Sequence, residues 1–145
     1  MQKPLLILLC SLLFAVANAD ATDTWQILIN KQIICKGNSD QENTVATIKK
    51  RALTSGDNLV IKYSMDNGDK TWTRTFYISD SSDHNLATAK INQQTGSVTI
   101  KAEIIKRIME KKQLFFIYTT SLPKDKGLAA RIRVRRVLLC RIDWN

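Results

Sequence analysis

Apolar residues recur at every second position in this chain, in short runs separated by turn-forming clusters. That rhythm commits it to β structure, because successive side chains on a strand point to opposite faces. Trp25, Ile27 and Ile29 alternate with Gln26 and Asn30, and Ile33 and Cys35 continue the parity. Leu59, Ile61, Tyr63 and Met65 alternate with Lys62 and Ser64; Trp72, Phe76 and Ile78 alternate with Thr71, Thr73 and Thr75. Polar and glycine-bearing clusters fall at 36–43, 54–58, 66–70, 79–85, 92–97 and 121–127. Such close spacing is typical of an antiparallel β domain. Asp66-Asn67-Gly68-Asp69 separates two alternating runs and gives the clearest hairpin signal. The continuous apolar run Leu114 to Thr120 suits a central strand buried on both faces.

One segment follows a different period. In 102–112 the apolar residues Ile104, Ile105, Ile108 and Met109 form a helical stripe. Glu103 near its start and Lys111 and Lys112 near its end complement the helix dipole. The fold expected is all-β: an antiparallel two-sheet sandwich of roughly eight strands with one short helix near 102–112. A closed eight-stranded barrel has the same periodicity and is the competing architecture.

The N-terminal 19 residues read as a secretory signal peptide. Lys3 precedes an apolar stretch over 5–16, and Ala17-Asn18-Ala19 forms a small-x-small cleavage signal. The stretch is short of the ~20 residues that span a bilayer, so no transmembrane segment is expected after cleavage. Residues 20–145 then form a single secreted or periplasmic domain whose only cysteines are Cys35 and Cys140. Export exposes thiols to an oxidising compartment, and an even pair there predicts one structural disulfide, with Trp25 and Trp144 near the joined strands. The alternative is two buried free thiols.

Charge is distributed unevenly. Residues 20–100 hold nine basic and nine acidic residues, whereas 101–145 hold twelve basic and four acidic ones. Within that basic half lies Arg131-Ile132-Arg133-Val134-Arg135-Arg136, running into Val137-Leu138-Leu139-Cys140-Arg141. On a strand, Arg131, Arg133 and Arg135 would form an outward ladder, while Ile132, Val134, Leu138, Cys140, Ile142 and Trp144 point inward. Arg136 breaks the parity and predicts a bulge near 135–136 or a rim position. Lys124, Lys126 and Arg141 extend the basic surface. Arginine pairs bidentately with phosphate, sulfate or carboxylate, so the expected partner is an anionic surface: acidic glycan, lipid headgroup or acidic protein, with nucleic acid set aside. The bland alternative is a solvated strand face.

Catalytic chemistry is sparse. His84, the only histidine, lies in the polar turn Asp80-Ser81-Ser82-Asp83-His84-Asn85 and is too isolated for a dedicated zinc site. No Gly-x-Ser-x-Gly elbow or phosphate-cradling glycine loop is present. The aspartates at 66, 69, 80 and 83 fit turn chemistry better than a calcium loop. No cofactor, metal or catalytic residue is expected. The function expected is an exported, non-catalytic binding module with a basic C-terminal face. A small-ligand carrier is the alternative if the fold closes as a barrel, and a hydrolase using His84 or an acid pair comes third.

Overall fold

The computed structural model describes residues 22–41, 44–49, 56–111 and 114–145. The expected signal peptide lies outside the described residues, as does Lys112 at the expected end of the helix. The described chain runs β1 (Thr24–Ile29), β2 (Gln32–Asn38), β3 (Val45–Ile48), β4 (Leu59–Ser64), β5 (Trp72–Ser79), β6 (Asn85–Ile91), β7 (Gly96–Ile100), α1 (Ala102–Lys111), β8 (Leu114–Pro123), α2 (Lys126–Ala129) and β9 (Val137–Trp144). The strands form two sheets, ordered β2-β1-β4-β7 and β3-β9-β8-β5-β6. They do not close into a barrel. A two-sheet sandwich accounts for the arrangement.

The core is filled from both sheets. Ile27, Leu59 and Ile61 from the four-stranded sheet and Phe76, Ile78, Phe115, Ile117, Leu139 and Ile142 from the five-stranded sheet are fully buried. Helix α1 links β7 of one sheet to β8 of the other and adds Ile105, Ile108 and Met109 to the core. Its first backbone N–H, at Ala102, donates to Asn58 Oδ1 at 3.1 Å, a cap supplied from the start of β4.

Several local expectations change. The run from Trp25 to Cys35 is two strands, because Asn30 and Lys31 both take positive φ (49° and 64°) and turn the chain into a hairpin. A register shift after Ile27 then moves Ile33 outward, where it is 47% exposed. The 66–69 segment is not a hairpin. Strands β4 and β5 lie in different sheets, and this loop carries the chain between them. It docks on another loop that crosses between the sheets, the one joining β6 to β7. Gln94 N–H donates to Asp69 O, Asp69 N–H donates to Gln94 Oε1, and Met65 N–H donates to Thr95 Oγ1. A Cβ on Gly68 would stand 2.4 Å from Thr95 Oγ1, so glycine here serves close approach rather than positive φ.

Strand β8 is central, as expected, but only one of its faces is buried. Phe116 and Tyr118 are half-buried and stack on the outer face, 6.1 Å apart. The sandwich is also not wholly antiparallel, since β3 pairs parallel with β9, from Val45 opposite Arg141 to Ile48 opposite Trp144.

Candidate anion-binding cleft

The arginine-rich segment does not form the strand that its alternation predicts. Strand β9 begins only at Val137, and residues 131–136 follow α2 without ladder partners. Asp125 caps that helix by accepting from Leu128 N–H at 2.7 Å, and Arg131 N–H donates back to Leu128 O. Val134 is 44% exposed rather than inward. The bulge falls at Leu139, because Ile117 faces Cys140 and Tyr118 faces Leu138. Inward parity therefore holds for Cys140, Ile142 and Trp144, while Leu139 joins the core as the extra residue.

Arg136 is held in place. Its guanidinium lies 3.8 Å from the centre of the Tyr118 ring, donates to Ser79 Oγ at 2.9 Å, and pairs with Asp83. Replacing it by glutamine should lower stability by about 1–2 kcal/mol, through loss of the ring contact and the hydroxyl bond. A thermal melt checks this.

Arg131, Arg133 and Arg135 are exposed, and no carboxylate lies within 4 Å of any of them among the described residues. The other basic candidates scatter. Arg141 pairs with Asp143 on its own strand, Lys124 Nζ donates to Lys70 O, and Lys126 lies exposed in α2.

Arg133 and Arg135 line a cleft of about 310 Å³ with Asp23, Tyr63, Trp72 and Arg74. Arg74 is the residue that sequence reading missed. It occupies an inward position of β5, in line with Phe76 and Ile78, and is 4% exposed. A charged residue at an apolar parity position was the available signal. Its Nε–H donates to Gln94 O at 2.7 Å, Nη1 to Thr119 Oγ1 at 3.3 Å and Nη2 to Met65 Sδ at 3.1 Å. Among the described residues no carboxylate comes within 4 Å of it.

Beneath this guanidinium a column of rings joins the sheets. Arg74 lies 3.7 Å from the Tyr63 ring centre, Tyr63 stacks on Trp25 at 6.1 Å, and Trp25 Nε1 donates to Leu139 O at 2.8 Å. Tyr63 donates its hydroxyl to Asp23 Oδ2 at 2.7 Å. Burial, with help from that bond, pushes the Tyr63 phenol well above its ordinary value of 10.0. A group whose folded pKa is raised adds stability below its unfolded pKa and loses it as pH rises toward the folded one. Alkaline titration above pH 10.0 should therefore lower the melting temperature, and lower it less in Tyr63→Phe. Equal slopes in the two proteins would contradict this.

Cys35 on β2 and Cys140 on β9 are buried free thiols in side-chain hydrogen-bonding contact across the sheets. The expected closeness of the two strands is present; the covalent bond is not. That contact with Cys140 lowers the Cys35 pKa, while the same contact and burial raise that of Cys140.

His84 is 76% exposed at its side chain, and its Nδ1 lies 3.2 Å from the buried carboxylate of Asp80. Asp80 Oδ1 also accepts from the Ser82 and His84 backbone N–H groups, which marks the pair as turn structure. No group of three or more metal-ligating side chains occurs among the described residues. Among the described residues no helix is long and apolar enough to cross a membrane. The sequence matches no family model and no curated protein.

Proposed function

We propose that this chain is an exported, non-catalytic binding module that recognises an anionic partner through its arginine-rich segment. The observation that carries the reading is that Arg131, Arg133 and Arg135 are exposed without carboxylate partners, next to a cleft that holds a buried arginine. Evenly balanced surface charges serve solubility; a local excess of unpaired guanidinium groups instead creates a positive field that draws anions. Export is supported by the pattern of the first 19 residues.

The barrel-based carrier is not carried forward, because the sheets stay separate and the core between them is filled. The test is binding to a sulfated polysaccharide and to anionic vesicles across a salt series. Arg131→Gln, Arg133→Gln and Arg135→Gln together should abolish binding without changing the melting temperature, since none of these residues contributes to a strand ladder. Affinity of the unaltered chain should fall steeply with salt as screening shortens to about 8 Å. Salt-insensitive binding, or binding retained by the triple variant, would overturn the reading.

A further inference from the structure

Arg74 has a property that a merely basic surface does not require. Its guanidinium is buried, yet its hydrogen-bond acceptors are a carbonyl, a hydroxyl and a thioether, all neutral. Three of its five N–H groups are thereby used. Asp23 supports that charge only at longer range, and its carboxylate already accepts from Tyr63, so an anion entering the cleft would add the direct partner that the buried guanidinium does not have. Arg133 and Arg135 line the same cleft, so three guanidinium groups border one small space.

The remaining lining narrows what could enter. Asp23 Oδ2 accepts from Tyr63, while Oδ1 has no hydrogen-bond partner among the described residues. A ligand carrying only negative charge is repelled there; one carrying hydroxyl groups can donate to it. Trp72, half-buried, presents an indole to the same space. A volume of about 310 Å³ is at the lower end for small-molecule sites and suits one ring rather than a polymer segment.

We propose that the cleft binds a single acidic sugar, a hexuronate, with its carboxylate toward Arg74, Arg133 and Arg135. Its hydroxyl groups donate to Asp23, and its C–H face lies on Trp72. The inference rests on the anion-binding reading above and gives it a ligand class. A neutral sugar leaves the guanidinium charges uncompensated, and inorganic phosphate makes no use of Asp23 or Trp72.

Calorimetric titration of the purified chain with glucuronate, glucose, inorganic phosphate and a sulfated polysaccharide decides the matter. Glucuronate should bind about tenfold or more tightly than glucose or phosphate, a difference of one bidentate contact or more. Arg133→Gln should weaken glucuronate by about fivefold or more at unchanged melting temperature; Asp23→Asn, which keeps an acceptor for the Tyr63 hydroxyl, and Trp72→Ala should each weaken it by a similar factor. Arg74→Lys keeps the buried charge but loses the fork, and should weaken it too. Phosphate binding as tightly as glucuronate would overturn the sugar assignment. Polysaccharide binding without any glucuronate binding would overturn the cleft and leave the surface reading standing. Failure of every anion would remove both.

Discussion

Protein isolated without reductant is expected to yield one linked peptide pair, Cys35 with Cys140, and to melt well above the reduced form. The two thiols interact across the core without being at disulfide distance, so the strands already meet and the bond asks only for a local adjustment of the side chains. The closed loop would exceed 100 residues, for which the chain-entropy treatment gives roughly 4–5 kcal/mol. At this size that corresponds to a shift of about 10–25 °C. The two thiols interact directly and titrate as a pair, and thiolate is the species that reacts with a disulfide oxidant. Formation should slow as pH falls, since the thiolate fraction falls with it. Cys35→Ala should abolish the link, and its melting temperature should not respond to reductant. Two freely alkylated thiols after exposure to oxidised glutathione would sink the idea.

Trp25→Ala should be the most damaging single substitution near the cleft, by about 3–5 kcal/mol. The indole fills space that Gly37 leaves open; a Cβ there would stand 2.8 Å from the ring. It also supports Tyr63, on which Arg74 rests, so the same variant should lose anion binding. Trp25→Phe separates the two contributions. It keeps most of the bulk but removes the donor to Leu139 O, and a buried carbonyl left unpaired costs about 1–3 kcal/mol. Chemical denaturation of the two variants beside the unaltered chain measures both.

The strands and helix α1 were legible because burial is periodic: Trp25 and Ile27, Leu59 and Ile61, and Phe76 and Ile78 are all inward, as their spacing requires. Which strands pair was not legible. Asn67-Gly68 has the chemistry of a hairpin turn, yet Gly68 is needed for packing against Thr95, a contact that local sequence does not reveal. The arginine repeat has a period of two without being a strand, because nothing pairs with it; alternation marks a strand only where a neighbouring strand is available. Arg74 was hidden by the opposite effect. Its position is apolar by parity, and the Tyr63 ring, the carbonyl of Gln94 and the hydroxyl of Thr119, all distant in sequence, explain how a charge is tolerated there.

The parallel pairing of β3 with β9 joins two segments almost a hundred positions apart in the chain. In the five-stranded sheet β3 bonds to β9 alone, and β8 has its second neighbour only in β9. Until β9 has left the ribosome, β3 therefore has no seat and β8 has an open edge. Loop-closure entropy for so distant a contact must be met before the contact gives anything back, which slows folding. A nascent chain of this design cannot complete its five-stranded sheet before β9 has emerged, whatever its earlier strands have already formed.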